Sequence, residues 1–367
     1  MGWLKRQLDL ARGAQTNLSS MEGLRGFAVF LVFLVHYATL IGPWLPPGGV
    51  VERFARGMHA VGNIGVDLFF VLSGYLIYGA LIVKARPFFK FIARRIERIY
   101  PTFLVVLMLY LALSLMFPAE SKIPQGAVEA TLFLLANVLL LPGLLDIRPV
   151  ITVAWTLSYE MFYYLTIPLL IGVLRLRTWS SSARFWFFLS FAALLAAFFA
   201  WQGGHVRLLM FLSGILLWEA LHGLKVRGPG SIAAFISLGL ALATMLLPGE
   251  GSISATLRTL LLFVAFFVLC FSCFSHPQAW AARIFSWTPL RWLGNISYSY
   301  YLIHGLALKF VFMLFAKAWP ADQAASGLFV ALLLPAFALT LVPAFALFVL
   351  IERPLSLKPA REVSVHG

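Results

Sequence analysis

Charged residues are scarce in this chain, and acidic residues are the scarcest. Asp, Glu, Lys and Arg together make up 11% of the 367 residues, whereas hydrophobic residues make up 61%. A soluble domain of this size needs far more charge to cover its surface. The composition therefore excludes a soluble enzyme and indicates an all-α polytopic membrane protein.

Cysteine is almost absent, and the common signatures of metal and nucleotide sites are missing. Cys270 and Cys273 share one apolar helix as C-x-x-C, which favours packing over redox chemistry because no βαβ pattern surrounds them. The chain lacks the H-E-x-x-H, G-x-S-x-G and Walker motifs, and its histidines are not spaced as metal ligands. We therefore expect neither disulfides nor a metal centre.

Basic residues outnumber acidic residues by 28 to 14, which gives a formal net charge of +14. They lie in short loops between apolar runs, which is typical of cytoplasmic loops rather than of a nucleic-acid-binding surface. We therefore expect the lipid bilayer as a partner, no nucleic acid, and a multi-pass protein with both termini in the cytoplasm.

The apolar segments predict about ten transmembrane helices. An eleventh apolar run, residues 127–145, is ambiguous: counted as a span, it would place later basic loops outside, so we expect it to be re-entrant or buried near the outer side. We expect one membrane domain with its core at 21–354, a polar tail at 1–20, a short cytoplasmic tail at 352–367, no cleavable signal peptide and no extra C-terminal domain. The ten predicted spans are residues 26–41, 65–83, 99–117, 154–174, 185–201, 206–221, 232–247, 253–274, 293–315 and 327–351.

The segment MEGLRGFAVFLVFLVHY, residues 21–37, carries a cation and an imidazole that are separated by ten uncharged residues. Arg25 and His36 are eleven residues apart. An α-helix therefore places them on nearly the same face, about 16 Å apart along its axis. A titratable group this deep in a bilayer is costly and indicates a functional site. The alternative is a structural histidine that hydrogen-bonds a neighbouring helix.

The most basic loop, residues 84–98, ends in R-R-I-E-R where the third span begins. Arg95 and Arg98 are three residues apart and project to one side of a helix, with Arg94 adjacent. Paired guanidinium groups suit a phosphate-bearing ligand because their planar forks bind phosphate oxygens at two points. Anchoring to lipid headgroups explains the same pattern equally well.

Two carboxylates belong to predicted spans. Asp67 begins the second span, where either the helix dipole favours it or it fixes a partner near the level of His36. Ser73 and Gly74 follow, and small residues allow close approach of a helix or a ligand. Glu160 lies among aromatic residues in the fourth span and must be paired or protonated. It orients His36, hydrogen-bonds an acceptor hydroxyl, or pairs with an arginine.

A second membrane histidine, His304, follows Ser297 and Tyr298 in LGNISYSYYLIH. A histidine amid tyrosine and serine is either a hydrogen-bonded structural group or part of a site. Near the C-terminus, Glu352 and Arg353 in E-R-P predict a helix stop with a local ion pair.

These stretches, in this order and spacing, resemble the integral-membrane acyltransferase 3 family, whose members O-acylate sugars of bacterial surface polysaccharides and some small molecules. The likeness covers about residues 21–354 and includes the terminal E-R-P. Gly305 departs from the proline or bulky residue that often follows the last histidine. The matching motifs are EGLRGFAVFLVFLVH, GVDLFFVLSGYLI, RRIERIYP, WTLSYEMFYYL and GNISYSYYLIH.

The resemblance implies a ten-helix domain in the bacterial inner membrane. It implies transfer of an acyl group, usually acetyl, from cytoplasmic acyl-CoA to a sugar hydroxyl at or beyond the outer face. Arg95 and Arg98, with Arg94 beside them, would hold the phosphates of coenzyme A. Arg25, at the same level, would bind donor phosphate or the pantetheine end.

The resemblance also assigns the chemistry at the other end of the first span. His36 would be the general base on the acceptor hydroxyl, with an acyl-histidine intermediate as the alternative. Asp67 or Glu160 would hold the tautomer of His36, as a carboxylate orients catalytic histidines elsewhere. Substrate contacts are expected from Ser73, Tyr298 and His304.

Two other functions stay open on the sequence alone. A transporter or flippase of a lipid-linked sugar or small metabolite would use the same buried polar groups as a path, although no inverted repeat of broken helices is visible. A sensor or scaffold subunit of a polysaccharide-assembly machine is the third alternative. Such machinery would also be a partner of a transferase.

Overall fold

The computed structural model describes residues 2–8, 17–321 and 323–357. These residues form fifteen α-helices and no β-strand, so the predicted all-α class is confirmed. Two π-helical segments extend α9 and α15. The α-helices are α1 Gly2–Leu8, α2 Asn17–Ile41, α3 Val50–Gly62, α4 Ile64–Val83, α5 Phe88–Met116, α6 Ala127–Val138, α7 Trp155–Val173, α8 Ser181–Gln202, α9 Leu209–Trp218, α10 Ser231–Thr244, α11 Gly251–Ser275, α12 Trp280–Phe285, α13 Thr288–Asn295, α14 Ser297–Ala318 and α15 Gly327–Leu347, and the π-helical segments are Glu219–Gly223 and Phe348–Ser356.

Eight helical segments of the described residues are long and apolar enough to cross a membrane, and they correspond to eight of the ten predicted spans. The other two predicted spans form α7 and α10. The polar residues Thr156, Ser158 and Glu160 lower the hydropathy of α7, and α10 has only 14 residues against the roughly 20 that a full crossing needs. Membrane character is confirmed, whereas ten crossings and cytoplasmic termini stay predictions.

The ambiguous run at residues 127–145 does not form one continuous helix. Its helix, α6, has twelve residues and a length of about 18 Å, which is too short to cross a hydrocarbon core of about 30 Å. Arg95, early in α5, contacts the ring of Tyr164 in the middle of α7. Lys122, just after α5, donates to the hydroxyl of Thr152 just before α7, at 2.9 Å. Because α5 and α7 therefore run in opposite directions, the segment between them begins and ends at the same end of this helix pair. A re-entrant or buried position near the outer side stays a prediction.

The parallel helices α2 and α14 form the frame of the site. The guanidinium of Arg25 donates a hydrogen bond to Ser297 Oγ at the start of α14, at 2.9 Å. Further along both helices the rings of His36 and His304 are in contact, with centroids 4.9 Å apart. The predicted span 293–315 begins too early, because α13 ends at Asn295 and α14 begins at Ser297.

Small residues let α4 approach α9 closely. A Cβ atom on Gly74 would lie 2.2 Å from the carbonyl oxygen of Phe211, and one on Gly214 would lie 2.1 Å from that of Val71. Gly74 thus serves the packing of α4 against α9. The neighbouring Ser73 lies on a different face of α4. The amphipathic α3, which the sequence patterns did not predict, precedes α4 and packs against α2.

Candidate active site

A cavity of about 150 Å³ lies between α2, α4, α5, α7 and α14. Because Arg25, Arg95 and Arg98 line it, we call it the arginine cavity. Five separate sequence motifs contribute to its wall, although they are spread over more than 270 positions of the chain. The fold thus brings together six of the ten predicted site residues, which are Arg25, Ser73, Arg95, Arg98, Glu160 and Tyr298.

Arg95 presents an uncompensated guanidinium to this cavity. Its charge lies over the rings of Phe91 and Tyr164, at 5.4 Å and 5.8 Å from their centroids. Within the described ranges Arg95 has no ion pair, and its buried Nε has no hydrogen-bond acceptor. Aromatic faces stabilise a cation without occupying its N–H groups, so those donors stay available to a ligand.

Arg98 differs because its charge is compensated. Its Nη1 lies 2.7 Å from Glu352 Oε1, and the second oxygen of Glu352 accepts from the backbone N–H and the hydroxyl of Ser299, at 3.0 Å and 2.6 Å. The predicted local pair of Glu352 with Arg353 is therefore wrong. The π-helical end of α15 buries Glu352 completely, whereas Arg353 donates to the carbonyl oxygen of Arg6.

Two further basic residues of the prediction have different surroundings. Arg25 lines the cavity and donates to Ser297. Arg94 is exposed and does not line the cavity. Adjacent helical residues point about 100° apart, so Arg94 and Arg95 cannot face the same cavity.

Glu160 is held inside the cavity by two hydroxyl groups. Ser73 donates to Oε1 at 2.8 Å and Tyr164 donates to Oε2 at 3.0 Å. Among the described residues Glu160 forms neither an ion pair with an arginine nor a hydrogen bond with His36. Tyr298 closes the same wall with its hydroxyl bound to the carbonyl oxygen of Ile99, at 2.7 Å.

Asp67 lies outside the cavity and is only 1% exposed. Its partner is Arg207, whose Nε is 3.7 Å from Asp67 Oδ1 and whose guanidinium lies over the ring of Trp155. The described contacts include no hydrogen bond between Asp67 and His36. Neither carboxylate that was expected to orient His36 therefore reaches it.

The two membrane histidines form a second cluster. His304 is fully buried, and its Nδ1 lies 2.8 Å from the carbonyl oxygen of Tyr301 and 3.1 Å from that of Tyr300. His36 is only partly buried. From the Arg25–Ser297 contact the pair is about 16 Å along α2 and about 10 Å along α14. The side chain of Tyr301 lines the cavity, so it connects the two clusters.

Sequence reasoning missed one residue of the cavity wall and two residues that form ion pairs with predicted site residues. Tyr164 could have been found, because a residue four positions after Glu160 lies on the same helix face. Glu352 and Arg207 left no local signal, since their partners are 254 and 140 positions away in the chain. The described residues contain no cluster of three His, Cys, Asp or Glu side chains that could hold a metal ion.

An all-helical membrane fold with arginine, glutamate and histidine side chains in its interior is typical of two classes of protein, intramembrane enzymes and carriers. Comparison with known proteins distinguishes the two classes. A family model described as an acyltransferase domain matches residues 18–351, so the chain belongs to the acyltransferase 3 family.

The chain is similar to several bacterial proteins. It is 27% identical over 343 residues to the peptidoglycan O-acetyltransferase OatA of Listeria monocytogenes, with 80% of this chain and 50% of OatA covered. It is 24% identical to YrhL of Bacillus subtilis, which carries the provisional name peptidoglycan O-acetyltransferase, with 78% and 48% covered. A Staphylococcus aureus protein provisionally named an O-acetyltransferase is also 24% identical, with 80% and 51% covered. The chain thus spans about half the length of the curated relatives it matches. No solved structure matches it.

Proposed function

We propose that this protein is a membrane O-acyltransferase that moves an acetyl group from cytoplasmic acetyl-CoA to a hydroxyl of an extracytoplasmic or lipid-linked sugar. Family membership and the names of the relatives support O-acetyl transfer. The name of OatA supports a carbohydrate acceptor. The observation that carries the proposal is the pair of parallel helices α2 and α14, which join the arginine cavity to the histidine pair.

The side chains of the arginine cavity are chemically suited to the phosphate groups of an acyl-CoA. Arg95 has free donors on a guanidinium that aromatic rings hold in place, and phosphate oxygens accept from such a fork at two points. Arg25 adds positive charge along the same wall, and Arg98, whose charge is compensated by Glu352, also lines it. Acyl-CoA would supply the activated thioester when bound, and these residues would hold and orient it.

The histidine pair is the centre of chemistry in this proposal. His36 takes the proton of the acceptor hydroxyl, which makes the oxygen nucleophilic. The oxygen–acyl bond forms as the carbon–sulfur bond breaks, and the proton taken up by His36 passes to the sulfur. The distance of about 16 Å between Arg25 and His36 along α2 suits a donor with a long flexible arm.

The charge distribution supports an orientation in the bacterial inner membrane. Arg25, Arg94, Arg95 and Arg98 gather at one end of α2 and α5, and cytoplasmic ends of spans are enriched in such residues. The arginine cavity would then open to the cytoplasm, and the histidine pair would lie nearer the outer face.

A transfer assay in proteoliposomes tests this function. Acetyl-CoA labelled in its acetyl group is supplied only on the side of Arg95, with an oligosaccharide acceptor on the other side. We expect label on the acceptor with the unaltered protein and with Lys90→Ala, an exposed cation outside the cavity. With His36→Ala the rate of labelling should fall by about 10²- to 10⁴-fold. No consumption and no binding of acetyl-CoA by any variant would overturn the proposal and favour a transporter.

A further inference from the structure

The ring nitrogens of His304 are not equivalent. Nδ1 faces the carbonyl oxygens of Tyr300 and Tyr301, at 3.1 Å and 2.8 Å. Carbonyl oxygens only accept hydrogen bonds, so Nδ1 must carry the hydrogen of the neutral ring. Nε2 is then the hydrogen-bond acceptor of His304, with its lone pair in the plane of the ring.

That acceptor is buried and has no hydrogen-bond partner in the described part of the chain. Leaving a buried acceptor unpaired is costly, so such an atom calls for a donor. Two tyrosine rings also pack against His304, but their hydroxyls are engaged elsewhere. Tyr300 is bound to Thr340, and Tyr301 is bound to Thr156 and to the carbonyl oxygen of Val153.

His36 is the neighbouring ring that has a hydrogen to give. Its centroid lies 4.9 Å from that of His304, with an angle of 68° between the planes. The two carbonyl contacts and stacking on Tyr300 at 5.3 Å fix the ring of His304. His36 is partly exposed and takes part in no hydrogen bond of the described residues, so no partner fixes the angle of its ring about χ2.

We propose that His304 is a positioning residue for His36. Its Nε2 accepts a hydrogen bond from one N–H of His36, which fixes the tautomer of His36 and leaves the other ring nitrogen free to take the hydroxyl proton. This inference rests on the proposed transfer reaction. His304 therefore fills the place that a carboxylate takes in other catalytic groups, and it does so without burying a negative charge.

The same contact explains why neither predicted carboxylate is needed at this end. Glu160 is satisfied by Ser73 and Tyr164, and Asp67 faces Arg207. When His36 is protonated, its hydrogen bond to His304 becomes charge-assisted and therefore stronger. His304 would thus stabilise the protonated form of His36 that the reaction passes through.

The test uses the 367-residue chain with 15N-labelled histidine and two substitutions at one position. His304→Phe keeps the ring that stacks on Tyr300 but removes Nε2. His304→Gln removes the ring but keeps an oxygen that can accept from His36. The signal of His36 is assigned by its loss in His36→Gln.

We expect His36 to adopt one tautomer in the unaltered protein and in His304→Gln, and a mixture of tautomers in His304→Phe. We expect kcat for acetyl transfer to fall between about 10- and 100-fold in His304→Phe with an unchanged KM for acetyl-CoA, and to recover in part in His304→Gln. His222→Phe is the matched control, since His222 is bound to Tyr75 and does not contact His36. It should change neither quantity.

An unchanged tautomer of His36 together with an unchanged kcat in His304→Phe would overturn the inference. The proposed transfer would stand in that case, provided that His36→Ala is inactive. If the unaltered protein transfers no acetyl group, the proposed function fails, and the tautomer spectra still decide whether His304 binds His36. A variant that elutes or unfolds differently from the unaltered protein is replaced by His304→Leu, for which the same two results are expected as for His304→Phe.

Discussion

Two regions along α2 and α14 stabilise buried polar groups in different ways. They are the arginine end, around the cavity, and the histidine end, around His36 and His304. At the arginine end each polar group has surroundings of its own: Arg98 is paired with Glu352, Glu160 is bound by two hydroxyls, and Arg95 lies on aromatic rings. At the histidine end the rings of His36 and His304 contact each other and pack among aromatic rings. A group of arginines suits binding of an anionic donor, whereas a pair of imidazoles suits proton transfer.

Removing the imidazole of His36 should break the histidine end alone. We expect His36→Ala to lower kcat for acetyl transfer by about 10²- to 10⁴-fold, which is the contribution of a general base. Binding of acetyl-CoA should be unchanged, because the arginine cavity is about 16 Å away along α2. Single-turnover transfer and equilibrium binding of labelled donor measure the two effects. Normal transfer by this variant would exclude His36 as the base.

Removing the carboxylate of Glu352 should weaken the fold around the arginine end. Glu352 is 0% exposed at its side chain and Arg98 is 22% exposed. We expect Glu352→Ala to destabilise the protein by about 3 kcal/mol, at the low end for a broken buried pair because water reaches Arg98 in part. The unfolding temperature in detergent measures this change. Glu97→Ala removes an exposed carboxylate and should leave that temperature unchanged, and equal shifts for the two variants would contradict the assigned pair.

Removing Arg95 should weaken donor binding while chemistry persists. A hydrogen bond to a charged group contributes about 1.5–3 kcal/mol, so we expect the KM for acetyl-CoA to rise between about 10- and 100-fold in Arg95→Ala. The kcat at saturating donor should stay close to that of the unaltered protein. Steady-state kinetics over a range of donor concentrations measure both constants. A fall in kcat with an unchanged KM would place Arg95 in the chemical step instead.

An exposed ion pair that contacts neither the cavity residues nor the two histidines should matter least. Lys309 lies 2.6 Å from Glu120 on the surface, and this contact lowers the pKa of the Glu120 carboxyl below its ordinary value. A depressed pKa means that the pair stabilises the folded protein above the ordinary pKa of a glutamate, and that this contribution is lost as the pH falls through the lowered value. We expect Lys309→Met to change the unfolding temperature slightly at pH 7 and not at all at the acidic end of a pH series. A large change at pH 7 would show that the pair supports more than its own surface contact.

The sequence predicted those features of the site that depend on local spacing. A spacing of eleven residues along α2 predicts the separation of Arg25 and His36. A spacing of three residues along α5 predicts that Arg95 and Arg98 lie on one side of that helix. Partners from distant parts of the chain leave no such pattern. Glu352, the partner of Arg98, lies in the π-helical segment that extends α15. No spacing rule predicts that segment or the pairing.

The fold was predictable to a similar depth. Long apolar runs indicated the spans, because hydropathy depends on composition alone. The break before α14 was missed because its only signal is Gly294 and Asn295, two residues that often end a helix but here stand within a largely apolar run. The amphipathic helix α3 was missed because its polar face resembles a loop when only runs of apolar residues are counted.

In the proposed mechanism, donor binding and chemistry are separate functions at two positions along α2. The most direct test measures acetyl-CoA binding and single-turnover acetyl transfer on the same preparations of the unaltered protein, His36→Ala and Arg95→Ala. We expect His36→Ala to bind normally without transfer, and Arg95→Ala to bind weakly and to transfer when donor is saturating. Loss of both properties in each folded variant would contradict the account, because it would mean that the two ends act as one site.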